Sequence, residues 1–113
     1  MTNRLDKVNS LLEKEISSII LRDFAFPQAM VTLTYVDATA NLIEARAYIS
    51  VMPDDKADKV IASLNKGIYS VQQKINKRLN MRPIPKIKFI KDEKISEAAK
   101  IEKLLEKIKD NWN

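Results

Sequence analysis

The sequence contains no cysteine and no histidine, and it has a single glycine among its 113 residues. Without cysteine there is no disulfide framework, no thiolate metal site and no thiol nucleophile, which suits a reducing cytoplasm. Without histidine the chain lacks the usual general base near neutral pH and the commonest transition-metal ligand. We therefore expect a protein without enzymatic activity and without a cofactor.

Long apolar runs are also missing. No stretch approaches the roughly 20 apolar residues that a membrane-spanning helix needs, and residues 1–7 lack the hydrophobic core of a signal peptide. With 45% hydrophobic and 31% charged residues, the composition is that of a compact globular protein. We expect one soluble domain, residues 1–113, located in the cytoplasm.

Positive charge is concentrated in one part of the chain. The net charge is +5, but residues 59–91 contain nine basic and no acidic side chains, whereas the other 80 residues contain eleven basic and fifteen acidic ones. Solubility alone does not require acidic residues to be absent from a long window. A phosphate-binding surface does favour their absence. The basic residues of this window are Lys59, Lys66, Lys74, Lys77, Arg78, Arg82, Lys86, Lys88 and Lys91.

Hydrophobic periodicity predicts a helix and then two strands. Apolar steps of three and four predict a first helix, which Thr2 or Asn3 can cap and which stops before Pro27. Period-two alternation at 31–35 and 43–51 then predicts two strands joined by a polar loop at 37–41. The stripe of the first helix consists of Leu5, Val8, Leu12, Ile16 and Ile19.

The second half of the chain predicts two more helices and one strand. Asp54 or Asp55 can cap the longest apolar stripe, which extends over residues 57–79. Two prolines at 83 and 85 prevent that helix from continuing, and residues 86–91 alternate as a third strand. A last amphipathic stripe at 98–108 predicts a final helix.

The predicted fold class is α+β, with a three-stranded sheet packed against helices. In the third strand Ile87 and Phe89 should face the core, so that Lys86 and Lys88 stand on the opposite face.

The single glycine, Gly67, lies inside the longest predicted helix. Glycine costs a helix about 1 kcal/mol relative to alanine, which calls for an explanation. Three are open: a kink, the close approach of a phosphate backbone or a neighbouring helix, or a tolerated glycine in a straight helix. Tyr69 can stack on a base, although a lone tyrosine on a helix more often packs locally.

Several segments carry a family resemblance through their order and spacing. They are VTLTYVD (31–37), NLIEARAYISV (41–51), LNK (64–66), KRL (77–79), RPIPKIKF (82–89), Asp92 and IEKLL (101–105). Together they resemble the bacterial ribosome-binding factor A family over nearly the whole chain. The ordered set is more specific than any one segment.

That resemblance implies a type II KH-like fold, in which two helices separated by a kink lie beside a three-stranded sheet. It implies an assembly factor that binds the immature small (30S) ribosomal subunit and its 16S rRNA, assists late maturation of that RNA and supports growth in the cold. The family's Ala-x-Gly kink aligns here with Gly67, Ile68 and Tyr69. The segment 23–27 (DFAFP) is less basic than the family's usual Asp-Pro-Arg.

On this interpretation the RNA contacts come from the basic window. The candidate residues are Lys66, Lys74, Lys77, Arg78, Arg82, Lys86, Lys88 and Lys91. An assembly GTPase is a further candidate partner, and the mixed charges of the terminal helices lead us to expect a monomer.

Two rival functions remain open. The first is a small basic module that docks a ribosomal or other acidic protein without touching RNA. The second is an enzyme with a metal bound by Asp54, Asp55 and Asp58, although acids at the start of a helix are explained more simply by capping.

Overall fold

The computed structural model describes residues 3–93, and it confirms the α+β prediction. Three helices accompany a three-stranded sheet, and the longest predicted helix is divided in two. The elements are α1 (Arg4–Asp23), β1 (Met30–Ala38), β2 (Glu44–Met52), a short 3-10 helix (Asp54–Lys56), α2 (Ala57–Lys66), α3 (Ile68–Arg78) and β3 (Lys86–Lys91). The final helix predicted at 98–108 lies outside the described residues.

α1 forms as its sequence predicts. Asn3 is the cap, because its Oδ1 atom accepts a hydrogen bond from the Asp6 N–H at 2.8 Å. The apolar stripe packs inward, with Leu12 and Ile16 fully buried, and each such side chain stabilises the fold by about 1.5–3 kcal/mol. The helix ends at Asp23, and the next residue is already extended.

The sheet has the order β1-β2-β3, so that β2 is central. β1 and β2 are antiparallel, whereas β2 and β3 are parallel. Ala47 and Ile49 of β2 lie beside Phe89 and Lys91 of β3, and a single hydrophobic cluster joins this face of the sheet to all three helices. As predicted, Ile87 and Phe89 are buried in that cluster.

The hairpin loop differs from the prediction. β1 continues to Ala38, so the connection comprises residues 39–43 rather than 37–41. Pairing with β2 and the burial of Ala38 extend the strand beyond its clearly alternating part. The Asn41 side chain forms hydrogen bonds within the loop, and Leu42 has a φ of 59° and buries its side chain.

The predicted aspartate cap of α2 is wrong. Asp54 and Asp55 belong to the short 3-10 helix, and Lys56 takes the cap position without a side-chain hydrogen bond. The Asp54 carboxylate instead lies 3.1 Å from the Lys91 ammonium group. The prediction failed because the 3-10 turn precedes α2 and contains both acids, so neither of them lies at the cap position of α2.

Helix side chains bind the outer edge of β3. Asn65, near the end of α2, donates from Nδ2 to the Phe89 carbonyl and accepts from the Phe89 N–H, both at 3.0 Å. Gln72, on α3, accepts from the Ile87 N–H at 2.9 Å and donates to the Pro85 carbonyl at 3.1 Å. Two amides therefore satisfy four backbone groups that the sheet itself leaves unpaired.

The opposite edge of the sheet has a similar arrangement near the end of β1. Asn9 accepts a hydrogen bond from the Ala38 N–H at 2.9 Å, and Glu13 accepts one from the Val36 N–H at 3.2 Å. Asn9 and Glu13 are one turn apart on α1, so they share a helix face. These bonds fix α1 to its strand.

We predict that Gln72→Ala lowers the free energy of unfolding by about 1–3 kcal/mol, because it leaves the Ile87 N–H without its partner. Urea unfolding followed by circular dichroism measures the change. The neighbouring Gln73→Ala is a matched control, since Gln73 is exposed and should have an effect within about 0.5 kcal/mol. Equal midpoints for the two variants would contradict the role of Gln72.

Candidate nucleic-acid interface

The longest predicted helix is interrupted at Gly67. α2 ends at Lys66, Gly67 has a φ of −89° and a ψ of 10°, and α3 begins at Ile68. The Gly67 N–H donates to the Ser63 carbonyl, and the Gly67 carbonyl accepts from the Val71 N–H, each at 3.2 Å. Hydrogen bonds therefore connect the two helices through the glycine, although Gly67 itself leaves the helical conformation.

A side chain at position 67 would press against the Phe24 ring, which would have to move by a few tenths of an ångström. A Cβ atom placed on Gly67 would lie 3.0 Å from Cζ and 3.2 Å from Cε1 of the Phe24 ring, closer than the optimal carbon separation of about 3.5–4.0 Å. Phe24 directly follows α1 and stacks on Phe26, with ring centroids 6.1 Å apart. The glycine thus admits a neighbouring element, and that element is the end of α1.

An open depression, which we call the kink cleft, lies between the helix break and β3. Its volume is about 340 Å³. Asn65 and Ile68 reach it from the two sides of Gly67, and Lys86 and Lys88 reach it from β3. The complete lining is Ile43, Glu44, Asn65, Ile68, Lys86, Ile87 and Lys88.

A second open depression, which we call the α3 depression, lies on the outer side of α3. Its volume is about 450 Å³, and its lining consists of Tyr69, Ser70, Gln73, Lys74 and Lys77. Ile68 lines the kink cleft and the next residue, Tyr69, lines the α3 depression. Consecutive residues in the first turn of α3 therefore line the two depressions.

Four exposed lysines line or flank these two depressions, and we call them the kink cations. Lys66 is the last residue of α2, Lys77 lines the α3 depression, and Lys86 and Lys88 line the kink cleft. Within residues 3–93 none of the four forms an ion pair. The kink cleft does contain one acid, Glu44.

Two other candidate cations are paired with carboxylates of α1. The Lys74 ammonium group bonds to Asp23, and the Arg78 guanidinium group lies 3.4 Å from the Glu15 carboxylate. Successive turns of α3 therefore bind to α1. These pairs hold the cations at the surface but neutralise them.

The last two candidates lie in different surroundings. The Arg82 guanidinium group donates to the carbonyls of Leu79 and Met81, at 3.3 and 2.6 Å, so it closes the end of α3. Lys91 is at the opposite end of β3 from Lys86, about 16 Å along a strand that rises about 3.3 Å per residue, and it pairs with Asp54. The structure does not bring Lys91 to the kink cleft.

The Asp23 carboxyl group is held in its charged form. The hydrogen bond from Lys74 lowers the pKa of Asp23 below its ordinary value, and the partial loss of hydration acts in the opposite direction. The positive charges of Lys74, Arg22 and Arg78 act together with the hydrogen bond. The pair with Lys74 is therefore present at neutral pH.

Asn65 and Gln72 position this surface, although neither was predicted from the sequence to have a role. They hold the two sides of the helix break against β3 and so set the width of the kink cleft. Their spacing of seven residues, which places two amides on one side of a helix, is the available sequence signal.

Neither a metal site nor a membrane span occurs in the part of the chain that the structure describes. Within residues 3–93 no group of three acidic side chains is arranged to hold a metal ion. Asp54, Asp55 and Asp58, the metal ligands of the rival enzyme hypothesis, therefore do not form such a group. Over the same residues no helix has the length and apolar character needed to cross a bilayer.

Sequence comparison identifies the family. A family model described as ribosome-binding factor A matches residues 4–105. The chain belongs to the ribosome-binding factor A family. Ribosome-binding factor A of Akkermansia muciniphila is 33% identical over 111 residues, which cover 98% of this chain and 89% of the relative. That of Pediococcus pentosaceus is 34% identical over 108 residues, which cover 93% of each chain.

Solved structures of ribosome-binding factor A show the same fold. The crystal structure of the protein from Thermus thermophilus matches with a TM-score of 0.66 at 14% identity, over 77% of this chain and 93% of that one. A model of the Thermus thermophilus protein fitted into a cryo-electron microscopy map of its 30S complex matches with a TM-score of 0.62 at 15% identity, over 74% and 90% of the two chains.

We predict a positive coupling between Gly67 and Phe24. In this chain, Gly67→Ala should be less favourable with phenylalanine present than in a Phe24→Leu background, where the alanine can express the advantage of about 0.4–1 kcal/mol that it gains from the lower entropy of the unfolded chain. Unfolding free energies of the two single variants and the double variant give a coupling of about 0.5–3 kcal/mol. Additive effects would show that the Phe24 ring does not restrict position 67.

We predict that the contribution of Asp23 to stability is lost in acid. Because its folded-state pKa is lowered, the contribution is complete above the ordinary carboxyl value of about 3.9 and disappears as the pH falls through the folded-state value. Wild type and Asp23→Asn should therefore differ in melting temperature near neutral pH and converge at the acid end. A difference that does not change with pH would contradict the ion pair.

Proposed function

We propose that this chain is a ribosome assembly factor that binds the immature small ribosomal subunit and contacts its 16S rRNA through the kink cations. One observation carries the proposal: Lys66, Lys77, Lys86 and Lys88 are exposed and form no ion pair within residues 3–93. Lys66, Lys86 and Lys88 lie beside the break at Gly67, and Lys77 lies further along α3 in the α3 depression. Family membership supports it, and the related Thermus thermophilus protein was fitted in a complex with 30S.

The chemistry of the surface fits RNA. Lysine ammonium groups bind phosphate as mobile point charges and release the counterions that RNA otherwise retains. Such contacts attract and orient the partner but carry little sequence information. Selectivity would then come from the fit of the rigidly held kink cleft to a folded RNA shape.

Three of the other candidate cations can contact RNA only if they first give up their present partners. Lys74 and Arg78 reach a phosphate only by giving up Asp23 and Glu15, and Arg82 only by leaving the end of α3. Each exchange replaces an existing interaction, so its net gain is smaller than that of a kink cation. Lys91 is paired with Asp54 and does not line the kink cleft.

We further propose the finer role that the family resemblance implies. The factor assists late maturation and processing of the 16S rRNA in the cytoplasm, supports growth in the cold, and acts as a monomer without catalysing a reaction. An assembly GTPase is its candidate partner for release. These roles do not depend on the proposed RNA-binding surface, and each can be tested separately from it.

We predict that reversing the charge of three kink cations strongly reduces co-sedimentation with immature small subunits. The Lys66→Glu, Lys77→Glu, Lys88→Glu variant should bind at least about tenfold more weakly, because attraction to phosphate becomes repulsion. The dependence of affinity on salt should also become shallower, by about one unit of slope for each phosphate that is no longer bound.

The control variant is Lys7→Glu, Lys14→Glu, Lys59→Glu, which makes the same change in net charge at exposed lysines away from the kink cleft. It should retain most of the binding. Equal recovery of the two variants would show that net charge, and not this surface, determines association. Binding that survives ribonuclease digestion of the particle would instead favour the rival function, docking on an acidic protein.

A further inference from the structure

Tyr69 is the aromatic side chain that the fold leaves in solvent. Its exposed fraction is 76%, and among residues 3–93 every other phenylalanine and tyrosine is buried or half-buried. An exposed ring on the first turn of α3 contributes little to the core. Because tyrosine carries a large flat apolar surface, its exposed ring is available for a ligand that stacks on it.

The surroundings of Tyr69 are polar and basic. Tyr69, Gln73 and Lys77 succeed one another at intervals of four residues, so they form a stripe along one side of α3. Ser70 and Lys74 complete the α3 depression, and its lining contains no acidic side chain, although Lys74 is paired with Asp23 beside it. Within residues 3–93, Lys77 is therefore the unpaired cation of the lining. The depression has a volume of about 450 Å³ and is open to solvent.

This combination matches one unpaired nucleotide. A flat ring stacks on a base, an amide can bond to the edge of that base, and ammonium groups bind the adjoining phosphates. Bases in an A-form duplex are stacked on each other and cannot reach an exposed ring on a protein surface. An acidic protein segment would satisfy the lysines, but it would cover Tyr69 in the same way only if it also presented an aromatic side chain there.

Resting on the proposed RNA-binding function, we propose that the α3 depression binds a single unpaired nucleotide of RNA. Its base stacks on Tyr69, Gln73 contacts the base edge, and Lys77 binds the phosphate. Ile68 of the kink cleft and Tyr69 of the α3 depression are consecutive residues, so one RNA strand can contact both. The ligand of the α3 depression is therefore RNA with a splayed-out base, and not an uninterrupted duplex.

The test compares Tyr69→Leu and Tyr69→Phe on two RNA probes. The first probe is a short unstructured RNA that contains the fluorescent base 2-aminopurine, and the second is the same strand annealed to its complement. Tyr69→Leu should weaken binding of the single strand by about five- to a hundredfold and remove the stacking-induced change in 2-aminopurine fluorescence. Tyr69→Phe should behave as wild type, and duplex binding should be unchanged throughout.

Leu21→Ala is the matched control, because Leu21 is 83% exposed on α1 and its truncation removes apolar surface elsewhere. Since Tyr69 and Leu21 are both exposed, none of these variants should unfold the protein, which melting curves verify.

Two results would overturn the stacking site while leaving the proposed function intact. One is wild-type binding and fluorescence for Tyr69→Leu alongside loss of binding in the triple kink-cation variant. The other is equal loss in Tyr69→Leu and Tyr69→Phe, since the ring itself would then not matter. If wild type binds neither probe nor immature subunits, the proposed function fails and the stacking site fails with it.

Discussion

The arrangement of the surface depends on two side-chain amides that bind the edge of a strand. Asn65 and Gln72 come from opposite sides of the break at Gly67, and each bonds to the backbone of β3. A helix pair joined by a single non-helical residue has freedom to bend, and these bonds remove it by tying both helices to the same rigid strand. The kink cleft thereby acquires a fixed width, and the lysines of β3 acquire fixed neighbours.

The basic window of the sequence has two roles in the folded protein. Lys74, Arg78 and Lys91 form ion pairs with acids that lie outside the window, so part of its charge stabilises the fold. The kink cations keep their charge for a partner. Net charge alone does not distinguish the paired cations from the kink cations. They are distinguished by their positions relative to α1 and the 3-10 helix, which carry the paired carboxylates.

Much of the fold could be predicted from the sequence, because local periodicity determines each element. Alternation placed β3 at its observed residues, and the lone glycine marked the place where the longest helix breaks. The aspartate cap failed because a 3-10 turn cannot be distinguished from a helix start by composition. The ion pairs of Lys74 and Arg78 were not predictable, since their partners are 51 and 63 residues away in the chain and are set by the packing of α1 against α3.

The side chains that close the two margins of the sheet also bear on how the protein can meet other molecules. Backbone groups at Ile87 and Phe89 on one margin, and at Val36 and Ala38 on the other, are already bonded to helix side chains. An extended peptide seeking to join the sheet there as a fourth strand would have to displace them. Addition of a further strand is therefore obstructed at these positions. A partner is instead recognised by side chains that the strands and helices present outward.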